Sequence, residues 1–97
     1  MRIISRKTLR KYWEKHSDSE FPLKVWYKRV EKLNWKNWNE IKNDFPTADF
    51  VGNDRYVFNI KGNSYRLVVK IDFDYQLVFI RFAGIHAEYD KINVRII

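Results

Sequence analysis

The sequence contains no cysteine, three glycines, two prolines and one methionine among its 97 residues. Without cysteine the chain can form no disulfide, no thiolate metal site and no cysteine nucleophile, which fits a reducing compartment. No stretch of about 18 uncharged apolar residues occurs, and the start of the chain has no apolar run of signal-peptide length. We therefore expect a cytoplasmic protein that neither spans a membrane nor carries out redox chemistry.

Positive charge is what the chain has in excess. Nineteen Lys and Arg residues against twelve Asp and Glu give a net charge of +7 and a pI near 9.7. The excess lies in residues 1–45, which hold twelve basic and six acidic residues, whereas residues 46–97 hold seven and six. Such a balance favours a polyanionic partner, and nucleic acid before a membrane surface.

Hydrophobic periodicity predicts one α+β domain spanning residues 1–97. Apolar residues recur at helical spacing in the first half of the chain and alternate with period two in the second half. Three helices are predicted. The first begins after an N-cap at Ser5 and ends near His16, the second covers Leu23–Leu33, and the third covers Trp38–Phe45 and ends before Pro46. The predicted strands cover Tyr56–Ile60, Tyr65–Ile71 and Leu77–Phe82. We expect an antiparallel sheet with the N-terminal helices packed on one face, the face that carries Tyr56, Phe58, Ile60, Val78, Ile80 and Phe82.

Turn residues predict the register of the sheet. Gly62-Asn63 suits a two-residue hairpin loop, which places Asn59 opposite Arg66. A four-residue loop at 72–75 would then place Arg66 opposite Arg81. Like charges that face each other on neighbouring strands destabilise a sheet, on the scale of ~0.2 to 1 kcal/mol. Two arginines in this position are therefore expected either to bind an anion such as a phosphodiester, or to be splayed to solvent or paired with Glu88 or Asp90.

A histidine and a tyrosine follow the last predicted strand. His86 comes just after the strand that carries Arg81, so its imidazole is a candidate for proton transfer, although a lone histidine is more often structural. Tyr89 could bind a phosphate, stack on a base or fill the sheet edge, and Asp90 could orient His86 or bridge an arginine. His16, the other histidine, is expected to lie at the end of a helix.

No known metal-ligand spacing is present, because the two histidines are 70 residues apart and the acidic residues do not converge on one turn. We expect no metal and no other cofactor. Without a metal, RNA is an easier phosphodiester to cut than DNA, since its own 2′-hydroxyl is an intramolecular nucleophile. The sequence thus favours RNA as the substrate. Arg6, Lys7, Arg10 and Lys11 form a basic helical face that is either simply solvated or available to backbone phosphates.

Two other functions stay open at this point. One is a non-catalytic RNA- or ribosome-binding repressor of translation that uses the same basic surface. The other is a DNA-binding protein, which is less favoured because the second helix has no clear helix-turn-helix partner.

Several segments together resemble the HigB toxins of bacterial type II toxin–antitoxin systems. They are Arg2–Leu9, Trp35–Lys36 through Asp44–Asp49, Asn59–Leu67 and Gly84–Ile92, so the resemblance covers nearly the whole chain. The resemblance implies a RelE-like fold and a ribosome-dependent mRNA interferase that cleaves mRNA in the decoding site. It also implies neutralisation by a HigA-type helix-turn-helix antitoxin and no direct specific DNA binding by this chain.

The resemblance also implies roles for individual residues. Arg66 and Arg81 would stabilise the phosphorane, His86 would be the leading acid or base, and Tyr89 and Asp90 would assist. RNA would contact Asn59, Lys61, Asn63 and Lys91, together with the basic helical residues.

Overall fold

The computed structural model describes all 97 residues. It has four α-helices and five strands. In chain order they are β1 (Arg2–Ile4), α1 (Arg6–Lys15), α2 (Glu20–Glu31), α3 (Trp38–Asp44), β2 (Asp49–Gly52), β3 (Arg55–Ile60), β4 (Tyr65–Asp72), β5 (Leu77–Gly84) and α4 (His86–Tyr89). A 3₁₀ turn at Ser17–Ser19 joins α1 to α2.

The strands form one mixed sheet in the order β1-β5-β4-β3-β2, in which β1 is parallel to β5 and the other neighbours are antiparallel. The predicted α+β architecture is confirmed, with two edge strands and α4 in addition to the predicted elements. The short apolar start of the chain forms β1, where Ile3 is buried and the Arg2 N–H donates to the Gln76 carbonyl at 2.8 Å.

The three N-terminal helices pack on one face of the sheet, as expected from their apolar stripes. Leu9 and Trp13 of α1, together with Trp26 of α2, join the buried cluster that Phe58 and Val69 contribute from the sheet. Trp35 lies at the centre of this cluster, stacked on Phe58. None of the four helices combines the length and apolar character that crossing a bilayer requires.

The predicted register between β3 and β4 is confirmed. Asn59 pairs with Arg66, and the intervening turn closes with a 3.1 Å hydrogen bond from the Ser64 N–H to the Lys61 carbonyl. Gly62 has a φ of 62°, in the left-handed region that glycine enters without steric cost, and Lys61 also has a positive φ of 52°. The residues of the turn therefore predict the pairing of Asn59 with Arg66 correctly.

The predicted register between β4 and β5 is wrong: Arg66 pairs with Gly84, not with Arg81. The loop starts one residue later than expected, because the Asp72 carboxylate accepts a hydrogen bond from the Tyr75 N–H and Asp72 pairs with Leu77. A β-bulge opposite Val68 and Val69 then adds one residue to β5.

The same bulge overturns the predicted orientation of Phe82. Phe82 pairs with Val68, whose side chain points away from the helices, whereas Ile80 pairs with Val69 in the core. The extra residue in β5 shifts the alternation of side chains by one position.

The segment after α4 is bonded to the start of β3 and the turn before it, and part of the sheet face that points away from the helices is buried as well. The Arg55 guanidinium donates from Nε and Nη2 to the Ile97 carbonyl at 3.1 and 2.6 Å, and the Asn53 amide donates to the Arg95 carbonyl at 2.6 Å. Val57 and Val68 on this face are fully buried. The strand pattern predicted no partner for the apolar half of this face. The burial of the two valines removes that half from water.

Asp18 ties the 3₁₀ turn to the end of the sheet. Its two carboxylate oxygens accept hydrogen bonds from Lys61 Nζ at 2.7 Å and from the Tyr65 hydroxyl at 2.5 Å. The hydrogen bond from Lys61, followed by that from Tyr65, holds the pKa of Asp18 below its usual range. The helical layer is thereby joined to the β3–β4 turn.

Replacing Asp18 with asparagine should lower stability in a pH-dependent way. A carboxyl whose pKa is lower in the folded state stabilises that state above its unfolded pKa of about 3.9, and this contribution is lost as the pH falls through the folded pKa. Urea unfolding at pH 7 should therefore show a lower midpoint for Asp18→Asn than for the original chain, and the gap should narrow towards pH 3. Asp74→Asn, at an exposed position without an ion pair, is the control. A gap that does not change with pH would contradict this assignment.

Candidate functional site

Arg66 is the central residue of the candidate site. It lies on β4 between Asn59 and Gly84 of the neighbouring strands, and its guanidinium carbon lies 4.8 Å from the centre of the Tyr89 ring. The side chain is half-buried, and its Nε is buried without a hydrogen-bond partner. None of the three ion pairs in the protein involves Arg66. A positive charge is thus held against an aromatic ring without a neutralising carboxylate.

Helix α4 reaches this position because Gly84 has no side chain. A Cβ at Gly84 would lie 2.5 Å from the Phe82 ring and 3.0 Å from Glu88 Oε1. That same Glu88 oxygen accepts the Ile85 N–H at 2.9 Å and so stabilises the first turn of α4. The sequence signal was a glycine directly before the His86 segment, but only the packing shows why it is needed.

His86 is the first residue of α4 and is half-buried, with its Nε2 buried and without a partner. Asp90 does not orient it, because the only bond between the two residues runs from the Asp90 N–H to the His86 carbonyl at 2.9 Å. The Asp90 carboxylate is exposed and forms no ion pair, so it bridges no arginine either. Lys91, the next residue, is also exposed.

Arg81 lies at the bulge in β5 and is exposed. Its guanidinium carbon lies 5.4 Å from the centre of the Phe79 ring, and Phe79 pairs with Lys70 on the same face of the sheet as Arg66. The two arginines therefore share a face, but Arg81 extends towards the opposite end of its strand. The structure does not bring them together as a cross-strand pair.

The residues of the β3–β4 turn lie beside Arg66 along the sheet. The Asn59 amide nitrogen donates to the Thr47 carbonyl at 3.2 Å, and its Oδ1 is buried without a partner. Lys61 is paired with Asp18, and Asn63 is exposed at the tip of the turn. Of these three residues, only Asn63 is free of a polar contact within the protein.

The four basic residues of α1 do not act alike. The Arg6 guanidinium lies over the rings of Trp13 and Tyr27, at 5.4 and 5.5 Å, and Arg10 faces Glu14 at 3.8 Å. Lys7 is exposed and makes no ion pair, while Lys11 lines a cleft next to β5. All four positive charges lie on the exposed surface of α1.

Sequence reasoning missed the cleft between α1 and the end of β5. It has a volume of about 520 Å³ and contains Lys11, Tyr12 and Lys15. The Tyr12 ring stacks on His16 with centroids 4.4 Å apart, an i, i+4 pair that is visible in the sequence. Burial, and then the Glu88 carboxylate, raise the pKa of Tyr12 to about 12. This hydroxyl therefore stays protonated at neutral pH, and it is buried without a hydrogen-bond partner within the protein.

The structure contains no group of three or more histidine, aspartate or glutamate side chains that could hold a metal ion. What the candidate site offers is instead one unpaired guanidinium, one imidazole and two phenols, Tyr12 and Tyr89. Such groups bind negative charge and exchange protons.

Comparison with known proteins identifies the family of this chain. Residues 19–92 match the family model described as HigB_toxin, the RelE-like toxic component of a toxin–antitoxin system. The mRNA interferase toxin HigB of Escherichia coli K12 is 34% identical over 92 residues, which cover 93% of this chain and 88% of that protein. The mRNA interferase HigB of E. coli O6:H1 is 28% identical over 95 residues, covering 96% and 92%. This chain therefore belongs to the HigB toxins, the RelE-like toxic components of toxin–antitoxin systems.

Proposed function

We propose that this toxin is an endoribonuclease that cleaves mRNA on the ribosome, without a metal, and so inhibits translation in the cytoplasm as a single domain. Its HigB relatives are named mRNA interferases. The observation that carries the proposal is Arg66, a half-buried guanidinium that faces an aromatic ring and no carboxylate. A chain selected only for stability would neutralise this charge.

In the proposed reaction the 2′-hydroxyl oxygen of the substrate attacks the adjacent phosphorus. The new bond from the 2′ oxygen to phosphorus replaces the bond from phosphorus to the 5′ oxygen, which leaves a 2′,3′-cyclic phosphate on the upstream fragment and a hydroxyl on the 5′ end of the downstream fragment. One protein group accepts the proton of the 2′-hydroxyl, and another supplies a proton to the departing 5′ oxygen. Arg66 stabilises the negative charge that builds up on the phosphoryl oxygens.

His86 is the residue best suited to proton transfer. Its Nε2 is buried and has no partner within the protein, so no structural hydrogen bond holds the ring, but the ring must turn before this nitrogen can reach a substrate atom. A histidine changes its charge near neutral pH, and a well-placed acid or base contributes roughly 10² to 10⁴ in rate. Tyr89 positions Arg66 through the ring contact, and Tyr12 lines the neighbouring cleft with its hydroxyl buried. The Asp90 carboxylate bonds to neither arginine nor the imidazole. Its proposed role is therefore limited to the exposed side of the site.

Basic residues on the outside of the site serve docking. Lys7 and Arg10 on α1, Arg81 on β5, Asn63 in the turn and Lys91 are all exposed. Contacts of this kind with RNA phosphates position a protein without reading the sequence. A ribosomal RNA surface is a suitable partner for a chain with a net charge of +7. The toxin's other partner is its antitoxin, which we propose to be of the HigA type.

Loss of Arg66 or His86 should abolish cleavage and leave the fold intact. Arg66→Ala removes the charge that stabilises the transition state, and we expect the cleavage rate to fall by roughly 10² to 10³. His86→Ala should lower it by roughly 10² or more. The measurement is the rate at which a defined mRNA is cut on stalled ribosomes under single-turnover conditions.

Arg2→Ala is the matched control, because Arg2 is an exposed arginine on the edge strand β1 and plays no part in the proposed site. It should cut at the original rate. If Arg66→Ala and His86→Ala still inhibit translation as strongly as the original chain, occupancy of the ribosome rather than cleavage is responsible, and the enzyme proposal is wrong.

Ribosome dependence needs a separate experiment. The same mRNA is incubated with the toxin either naked or on translating ribosomes, and the RNA ends are mapped. We expect cuts on ribosomes only, with 5′-hydroxyl ends. Equal cutting of naked and translated mRNA would contradict the ribosome requirement while leaving the nuclease activity in place.

Docking should depend on salt and on Lys7, an exposed lysine of α1. Each phosphate contact that is lost reduces the dependence of binding on salt, so Lys7→Ala should weaken ribosome binding modestly and lower the slope of log affinity against log salt by about 1. The affinity of labelled toxin for 70S ribosomes, measured from about 50 to 200 mM salt, checks this. Lys36→Ala, another exposed lysine but far along the chain, is the control. Identical slopes for Lys7→Ala and the original chain would remove Lys7 from the docking surface.

A further inference from the structure

An apolar groove lies between α2 and the end of β3, outside the candidate active site. It has a volume of about 350 Å³, and its lining includes Phe21, Val25, Trp26, Phe45 and Ile60. Phe21 is 76% exposed and Val25 is 40% exposed. Neighbouring exposed apolar side chains of this size mark a surface that binds a partner more often than one that stays in water.

Two buried polar atoms belong to residues that line this groove and have no partner. They are the indole Nε1–H of Trp26, whose side chain is almost wholly buried, and the Oδ1 of Asn59. A buried donor or acceptor without a partner is costly, and such cases call for an explanation. Both atoms are shielded from solvent in the free chain, so a docked segment reaches them only after the side chains around them move.

The outer edge of β3 beside the groove carries no strand, although the Asn59 side chain bonds to the preceding loop at the Thr47 carbonyl. The ladder between β2 and β3 reaches only as far as the pair Asp49–Val57, so Phe58–Ile60 have no strand on their outer side. An extended segment that lies in the groove can add backbone hydrogen bonds to this edge. Backbone pairing of this kind favours a protein occupant over a nucleic acid.

The charged residues that line the groove are both basic. Arg29 is held over the Phe45 ring at 4.2 Å and donates to the Asp44 carbonyl at 3.0 Å, whereas Lys61 is paired with Asp18, so Arg29 supplies the charge that has no carboxylate partner. No carboxylate lines the groove. A second copy of this chain, with a net charge of +7, is a poor electrostatic match, whereas an acidic segment is a good one.

We propose that this groove is the docking site of the antitoxin, and that the docked segment is acidic and carries apolar side chains that cover Phe21 and Val25. The inference rests on the proposed function only in taking an antitoxin as the partner. Asn59 pairs directly with Arg66 across the sheet, so a segment bound here also reaches the border of the candidate active site. A segment that binds in the groove would therefore also neutralise the toxin, because the groove and the candidate active site adjoin each other.

The test is a direct measurement of binding in the absence of RNA. The probe is the protein encoded by the reading frame adjacent to the toxin's own gene, titrated calorimetrically with the full toxin chain. Phe21→Glu and Val25→Glu place a negative charge in the groove and should each raise Kd by roughly 30-fold or more, the loss typical of a residue central to an interface. Tyr75→Glu is the matched control, since Tyr75 is 78% exposed in the loop at the other end of the sheet, and it should leave Kd unchanged.

Hydrogen exchange of the unaltered complex provides a second measurement that does not depend on variants. Protection should increase at residues 21–29 and 58–61. Unchanged exchange in these segments, an unchanged Kd for both glutamate variants, or the absence of any binding would overturn the proposal. So would self-association of the toxin alone that Phe21→Glu abolishes, or a loss of ribosome binding with antitoxin binding intact. None of these outcomes depends on whether the chain cuts RNA, so failure of the proposed nuclease activity would be seen separately.

Discussion

The contact between Arg66 and Tyr89 is the interaction on which the candidate site depends. An arginine without a carboxylate partner is normally extended into solvent, where water compensates its charge. Here the guanidinium carbon lies 4.8 Å from the ring centre, and Nε is buried without an acceptor. The ring attracts the cation without neutralising it, so the positive charge remains available to an anion. An aspartate in place of Tyr89 would hold the arginine just as well and would compete with the phosphate.

That contact exists only because α4 approaches the sheet closely. Gly84 leaves room between the Phe82 ring and the Glu88 carboxylate, and Glu88 in turn receives the first N–H of the helical turn. The position of Tyr89 over Arg66 and the position of His86 at the start of α4 thus follow from one small residue. The segment that continues from α4 is anchored by Asn53 and Arg55, so both ends of this region are attached to the sheet.

Much of the fold followed from the sequence, and the failures have identifiable causes. The helical stripes, the strand pattern and the turn at Gly62 gave the helical layer and the correct pairing of Asn59 with Arg66. The pairing of Arg66 with Arg81 failed because it depended on a loop closed by the Asp72 side chain and on a bulge, and neither has a distinctive sequence pattern. The burial of Val57 and Val68 could be expected, since an apolar half-face needs a partner. The strand pattern does not show which segment supplies that partner.

The corrected register changes which group is asked to stabilise the phosphate. Two arginines that face each other would bind a phosphate with two equivalent guanidinium groups. Without an anion, repulsion between these groups would destabilise the sheet. In the observed arrangement Arg66 is fixed by packing and Arg81 is exposed, so the two charges do not destabilise the empty sheet to the same degree. One fixed guanidinium is positioned before the substrate arrives, which is what electrostatic stabilisation of a transition state requires. Arg81 can then contribute through a flexible approach to the flanking phosphates, where exact placement matters less.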